Sequence, residues 1–235
     1  MKTKISIIYF DEKLDTKRKH HSVSENLLNI WLDFYKRSET KMEPILLTDE
    51  TTKIPKIWKY DVVKIIDHEP PYKSDVLHKV GWMKSQSFDY LGRCLVLDLD
   101  CLIIRNIDEI DDLETCMAMP KELGQKTFAA WPEIGEKLNG GCIFQNSNLI
   151  SSLFKEYWEK KKNLLSITFL DELIFTFICI KLNGLILNKE YNTSWSIGNT
   201  YAPICEYFNS KTKIIHFHGY RKNELNLFLK NRIKL

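Results

Sequence analysis

No stretch of this 235-residue chain approaches the roughly 20 consecutive apolar residues that cross a bilayer, so no transmembrane helix is expected. Charge of one sign is missing too. The 34 Lys and Arg against 31 Asp and Glu leave a formal net charge of +3, too small to argue for a nucleic-acid partner. The basic cluster Lys17-Arg18-Lys19-His20-His21 reads most simply as a solvated loop, although it follows the first strand, where α/β folds place ligand loops. Internal repeats and low-complexity segments are absent. None of the six cysteines forms a C-x-x-C pair, and most sit among apolar neighbours as small buried hydrophobes, which suits a reducing, cytoplasmic setting. Basic residues open the chain, but the apolar stretch Ile5 to Phe10 is about half a signal-peptide core and runs into Asp11-Glu12, so no secretion is expected.

What remains is the composition of a soluble globular protein, 44% hydrophobic and 28% charged, with no shift that divides it. Residues 1–235 read as one α/β domain large enough to bury a sizeable core.

The most informative stretch is Leu95-Val96-Leu97-Asp98-Leu99-Asp100-Cys101-Leu102-Ile103-Ile104. Two carboxylates, one residue apart, interrupt an apolar run that otherwise reads as a buried strand. An unpaired carboxylate removed from water costs several kcal/mol or changes its protonation state, so the pair implies a divalent metal or a cleft. Asp98-x-Asp100 is the chain's one Asp-x-Asp.

Strands and helices alternate around it. Ile5 to Tyr9 reads as a strand, and the capping box Ser22-x-x-Glu25 opens a helix with Leu27, Leu28, Trp31, Leu32 and Tyr35 inward. Ile45 to Leu47 and Val62 to Ile66 follow as short strands, Asp75 to Tyr90 as a helix, and Leu95 to Leu97 as a strand ending at the carboxylates. Ligands of open α/β sheets bind in the crevice beyond such strand ends. A loop-rich section with Pro120, Gly124, Trp131, Pro132 and Gly135 precedes Asn139-Gly140-Gly141 and a strand, Cys142 to Gln145. An amphipathic helix comes next, its apolar side formed by Leu149, Leu153, Tyr157, Ile150, Phe154 and Trp158. The core helix Leu170 to Lys181 and the strands Leu185 to Leu187 and Ile214 to His218 complete the pattern.

Two chemistries compete for the acidic pair. A strand ending in Asp-x-Asp resembles the first motif of haloacid-dehalogenase-type phosphatases, with Asp98 as nucleophile. That family expects Thr or Val where Leu102 stands and a later Gly-Asp motif, which this chain lacks; Asp111-Asp112 lies too near to serve. The second reading is a glycosyltransferase in which the pair holds Mn²⁺ or Mg²⁺ against the diphosphate of a nucleotide-sugar donor. There the cation stabilises charge that grows on the leaving group.

Ile214-Ile215-His216-Phe217-His218-Gly219-Tyr220-Arg221-Lys222 ends a strand with a histidine, a glycine permitting close backbone approach, and a lysine one turn on. His216 and His218 fall on the same strand face, so spacing alone does not choose between them as a metal ligand. With these residues the chain resembles the GT-A glycosyltransferases, most closely the glycogenin-like family 8, whose C-terminal motif H-F-x-G-x-x-K is matched by His216, Phe217, Gly219 and Lys222. The resemblance implies a GT-A (Rossmann-like nucleotide-diphospho-sugar transferase) fold, a central mostly parallel sheet flanked by helices. It further implies that Asp98, Asp100 and His216 hold the metal, that Lys222 contacts the diphosphate, and that Leu99 and Gly219 line the donor site. Asn139-Gly140-Gly141 resembles the family's N-x-G motif, and Asp171 its Asp on the following helix; both would line the donor-sugar pocket. Lys79-x-x-Trp82 resembles the helix before the metal motif, whose lysine reaches the donor, and Tyr9 sits where the family contacts the base. Where the family continues with Pro-Trp this chain has Asn223-Glu224.

The implied reaction passes a sugar, UDP-linked by default in that family, to a hydroxyl of a glycan or other acceptor. Retention at the anomeric carbon is favoured, while an inverting enzyme would need Asp171 or Glu172 as general base. A nucleotide-sugar or glycan-binding domain without turnover is the non-enzymatic alternative. Structural rivals stand beside each assignment: a core histidine for His216, a turn for Asn139-Gly140-Gly141, a helix-dipole partner for Asp171, packing for Trp131 and Trp195 against stacking on an acceptor sugar, and a solvated loop before Pro70-Pro71 for Asp67-His68-Glu69, whose residues are metal-ligand types.

Overall fold

The computed structural model describes residues 2–10, 25–66, 76–121, 138–161, 163, 170–194 and 211–217. The first strand, β1 (Lys4–Ile8), lies between β2 (Pro44–Thr48) and β4 (Cys94–Leu97), parallel to both, with Ile7 opposite Leu46 and Leu97. Beyond β2 runs β3 (Val62–Lys64), also parallel. On the other flank β7 (Cys142–Gln145) pairs antiparallel with β4, β6 (Met117–Pro120) antiparallel with β7, and β8 (Leu185–Leu187) parallel with β6. The seven strands stand in the order β3-β2-β1-β4-β7-β6-β8. A separate three-stranded sheet joins β5 (Cys101–Ile103), β10 (Ile214–His216) and β9 (Thr193–Ser194).

Both faces of the large sheet are covered at its inner strands, which are buried on alternate sides, whereas the edge strands β3 and β8 are partly exposed. Leu95 and Leu97 turn into one core with Ile5 and Ile7; Cys94 and Val96 turn into another with Ile8 and Leu47. The first core is closed by α1 (Glu25–Arg37), which buries Leu27, Leu28, Trp31, Leu32 and Tyr35 as the spacing predicts, and Phe34 besides. Its acidic first turn and basic last turn complement the helix dipole. Trp31 stacks on Tyr35 at 5.4 Å and donates its indole N–H to Cys101 O (3.0 Å), fixing α1 to the small sheet.

The opposite face carries α2 (Val76–Ser85), α4 (Leu149–Lys161) and α5 (Leu170–Lys181), locked by Trp82, Phe154, Trp158 and Phe175. Most of α5 is buried, as its composition foretells. On α4 the apolar side is Ile150, Phe154, Tyr157 and Trp158, whereas Leu149 is 51% exposed at the first turn.

Three elements differ from expectation. The helix expected over 75–90 is two, α2 and α3 (Ser87–Leu91), separated at Gln86. Ser85 and Gln86 side chains donate to Trp82 O and Ser87 to Met83 O, competing with the helical ladder, and Gly92 at φ 70° ends α3. The apolar run 95–104 is two strands in different sheets, because the Cys101 N–H donates to Asp98 O (2.9 Å) and turns the chain between them. β6 is a buried sheet strand in a stretch to which the pattern assigns no element, and its last residue, Pro120, falls in the section read as loop-rich. The expected strand 214–218 is described from Ile214 to His216.

Candidate functional site

The end of β4, the start of β7 and the end of β10 meet at one place. Leu97 lies opposite Cys142, and the Asp98 N–H donates to Gly141 O (2.9 Å), so the Asn139–Gly141 turn enters β7 beside the first carboxylate. After the turn at Asp98–Asp100 the chain pairs antiparallel with β10, with Cys101 opposite His216; the Phe217 N–H donates to Asp100 O (3.0 Å). His216 is thereby delivered to Asp100, Nε2 to Oδ1 at 3.5 Å, both residues buried.

The other ring nitrogen is oriented by two amides. Nδ1 lies 3.1 Å from Asn139 Oδ1 and 3.0 Å from Asn192 Oδ1. The Gly141 N–H also donates to Asn139 Oδ1 (2.8 Å), which sets that amide with its oxygen toward the ring. Nδ1 therefore carries its hydrogen, and in the neutral ring the Nε2 lone pair faces Asp100. The buried Nδ2 atoms of Asn139 and Asn192 have no hydrogen-bond partner among the described residues.

A buried cation forms the floor. Lys84, in the last turn of α2, places Nζ 2.7 Å from Asp98 Oδ1 and donates to Gly140 O at 2.7 Å. Burial would lower its pKa, but Asp98 and then Asp171 raise it above the ordinary lysine value. Asp171 and Glu172 open α5. Burial pushes the Asp171 carboxyl up to about 7; Lys84 opposes the shift, and Glu172 and Asp98 add to it. Glu172 Oε1 accepts the Gly140 N–H (3.2 Å).

Three glycines permit these approaches. A Cβ at Gly141 would stand 2.3 Å from His216 Cε1, at Gly140 2.8 Å from Glu172 Cγ, and at Gly81 2.3 Å from Asp171 Cβ. The sequence reading identified Gly140 and Gly141 and did not identify Gly81.

Asp100, Cys101 and His216 bring one ligand atom each within 4.8 Å of one another. Asp98, 27% exposed, turns its carboxylate to Lys84. Burial pushes the Cys101 thiol well up, and its Sγ donates to Gly141 O (3.2 Å). Carboxylate oxygens and an imidazole nitrogen held by a hydrogen bond on its far side are the donors a divalent cation takes, so these residues fit one.

Other expected residues lie nearby or elsewhere. Leu99 is buried within the Asp98–Asp100 turn, and Tyr9 is buried after β1 with its N–H donating to Leu47 O (2.9 Å). Lys79 is paired with Asp49 at 3.3 Å, with its Nζ 5.0 Å from the Phe10 ring centroid. Burial alone would raise the Asp49 carboxyl; hydrogen bonds from Thr52 and Lys79 bring it down to about 2. Ser22, the 17–21 cluster, Asp67-His68-Glu69, Trp131, Trp195, His218, Gly219 and Lys222 lie outside the described residues.

Sequence reasoning missed Lys84 and Asn192. The helical segment shared with Lys79 was the available signal for Lys84; no pattern marks Asn192.

No protein-family model and no curated protein matches the chain by sequence. Solved structures do match by fold. The galactosyltransferase LgtC, solved with donor and acceptor sugar analogues, shares 12% identity at a TM-score of 0.64, over 92% of this chain and 87% of that one. Mouse xyloside xylosyltransferase 1 shares 13% at 0.59, over 92% and 97%. The glycosyltransferase GlyE of Streptococcus pneumoniae shares 16% at 0.56, over 91% of this chain and 54% of its own. The chain has the GT-A fold of these proteins, a mostly parallel sheet with helices on both faces.

Proposed function

We propose that this chain is a metal-dependent glycosyltransferase of the family 8 type, moving a sugar from a nucleotide-diphosphate donor, UDP-linked by preference, to a hydroxyl of a glycan or other acceptor. The observation that carries the proposal is the meeting of Asp100 and His216, at the paired ends of β5 and β10 in the small sheet, beside Asp98 and the Asn139–Gly141 turn at the end of the large one, in a fold shared with glycosyltransferases.

Asp98, Asp100 and His216 hold the cation, Mn²⁺ or Mg²⁺, and Lys84 keeps Asp98 oriented until then. When bound, the cation supplies Lewis acidity to the donor diphosphate as its bond to the sugar breaks. Lys222 and Gly219 steady the diphosphate, while Tyr9, Lys79 and Leu99 line the nucleotide side. Asn139, Gly140 and Asp171 position the donor sugar. A carboxyl titrating near 7 donates and accepts hydrogen bonds at neutral pH, which suits Asp171 to a sugar hydroxyl. Retention is the favoured outcome: the departing phosphate takes the proton of the incoming hydroxyl on the same face. The phosphatase reading is not favoured, since its nucleophile, Asp98, is engaged by Lys84 and the fold neighbours are transferases.

The test incubates the protein with a panel of nucleotide sugars and Mn²⁺ and follows nucleoside diphosphate release, including slow hydrolysis without acceptor. Asp98→Ala, Asp100→Ala and His216→Ala should each abolish the metal-dependent release. Phosphate release from simple phosphomonoesters with no nucleotide-sugar turnover would overturn the reading, and metal-dependent donor binding without release would leave a binding domain.

A further inference from the structure

β8 ends the large sheet, with β6 as its one neighbour among the described residues. Its three residues, Leu185, Ile186 and Leu187, carry no charge. Leu187 turns into the core that α1 closes, so by alternation Leu185 points to that face and Ile186 to the face that α5 covers. Leu185 and Ile186 are nevertheless 44% and 48% exposed, and so is Ile180, in the last turn of α5, at 46%. The opposite edge of the sheet is built differently. There β3 ends in the exposed Lys64, whose Nζ donates to Glu50 O (3.0 Å). A charged side chain on an edge strand deters pairing with another chain, and β8 has none.

Apolar residues exposed on both faces of an edge strand are covered together by another strand added to that edge, whereas a lipid surface reaches one face. The residues around Ile186 favour a second copy as the source of that strand. Laid antiparallel on itself about Ile186, the segment Asn183-Gly184-Leu185-Ile186-Leu187-Asn188-Lys189 sets Ile186 against Ile186, Leu185 against Leu187, Gly184 against Asn188 and the exposed Asn183 against Lys189. Apolar side chains then meet apolar ones on each face, and no like charges stand opposite.

We propose that β8 pairs antiparallel with β8 of a second copy, about a two-fold axis at Ile186, joining the two seven-stranded sheets into one. The axis stands normal to the sheet and keeps the α5 layers of both copies on one side, where Ile180 adds to Ile186. A three-residue strand covers little of the roughly 800 Å² that each partner of a standard interface buries, so the dimer is weak and concentration-dependent. β7 and β6 separate β8 from β4, so the candidate site stays open, and the pairing does not depend on the transferase reading.

Sedimentation equilibrium of the reduced full chain, from micromolar to sub-millimolar concentration, should show a monomer–dimer equilibrium. Ile186→Lys sets two ammonium groups opposite each other in place of two apolar side chains and should weaken association by at least about tenfold. Position 186 is half in solvent, and circular dichroism checks that the variant folds. Register is read by cross-linking in a background with Cys116 and Cys205 changed to Ser. Ile186→Cys should form an intermolecular disulfide on mild oxidation, because residues directly opposite lie about 4.5–5.5 Å apart, whereas two copies of Leu185→Cys lie diagonally at about 7–8 Å and should not. A chain that stays monomeric, a dimer unchanged in folded Ile186→Lys, or Leu185→Cys that cross-links as readily as Ile186→Cys overturns the proposal. A monomer that instead co-sediments with phosphatidylglycerol vesicles overturns it in favour of a membrane surface.

Discussion

Lys84 Nζ and Asp98 Oδ1 stand 2.7 Å apart at the end of β4, and this ion pair ties α2 to the acidic turn. Lys84 also donates to Gly140 O and is drawn on by Asp171, so it ties three chain segments together and balances charge on two of them. Lys84→Met should lower stability by about 3 kcal/mol, the low end for a broken buried pair because Asp98 keeps some solvent. Urea denaturation of Lys84→Met, Asp98→Asn and the double variant measures it, and the double variant should recover part of the loss. An unchanged unfolding midpoint in Lys84→Met would show that the pair contributes nothing.

Asp171 carries a pH dependence with a definite sign. Its carboxyl titrates at about 7 in the fold against an ordinary 3.8, so the folded chain binds this proton more tightly than the unfolded one. The associated stability is fully present below about pH 4 and is lost as pH rises through 7, by on the order of 4 kcal/mol. In metal-free buffer Asp171→Asn should match the parent near pH 4 and be the more stable protein by pH 8. Parallel stability curves for the two proteins would contradict this account.

How much of this was legible in the sequence depends on how local each signal is. Asp98-x-Asp100 and His216-Phe217 were readable because carboxylates inside an apolar run and a histidine closing a strand are anomalies within a few residues. Their meeting was not readable from spacing, since it depends on the chain leaving the main sheet at Asp98 and pairing β5 with β10. Lys84 looks in sequence like any lysine near a helix end, and only tertiary packing buries it. Asn192 follows a short turn, and its role exists only because β9 pairs with β10. β6 was hidden because Met117-Ala118-Met119-Pro120 has no β-branched residue and ends in proline, a composition that tertiary burial overrides.

The two neighbouring glycines of the 139–141 turn should respond differently to a methyl group. At Gly141 a Cβ meets the His216 ring at 2.3 Å and 2.7 Å, and that ring is held by two buried amides. At Gly140 the contact is Glu172 Cγ at 2.8 Å, on a longer, less constrained side chain. Gly141→Ala should therefore cost about 1–3 kcal/mol and abolish Mn²⁺ binding, while Gly140→Ala should cost less and keep it. Thermal denaturation and manganese titration of both variants decide the point; equal metal affinities would rule out the difference in constraint.

Asn192 gives the sharpest test of how His216 is prepared. Its Oδ1 lies 3.0 Å from Nδ1, on the side of the ring away from Asp100, so its effect on a cation passes through the orientation and tautomer of the imidazole. Asn192→Leu removes that acceptor and leaves Asn139 alone to hold the ring, whereas Asn192→Asp keeps an acceptor and adds charge that makes Nε2 a better donor. Manganese affinity should fall about tenfold to a hundredfold in Asn192→Leu, the usual cost of losing such a partner, and should be retained in Asn192→Asp. Nitrogen-15 shifts of His216 supply a readout that simple loss of stability does not move: the Nδ1–H form should dominate in the parent and lose its predominance in Asn192→Leu. If both substitutions weaken manganese equally while the ring keeps its tautomer, Asn192 supports the fold and does not orient the ligand.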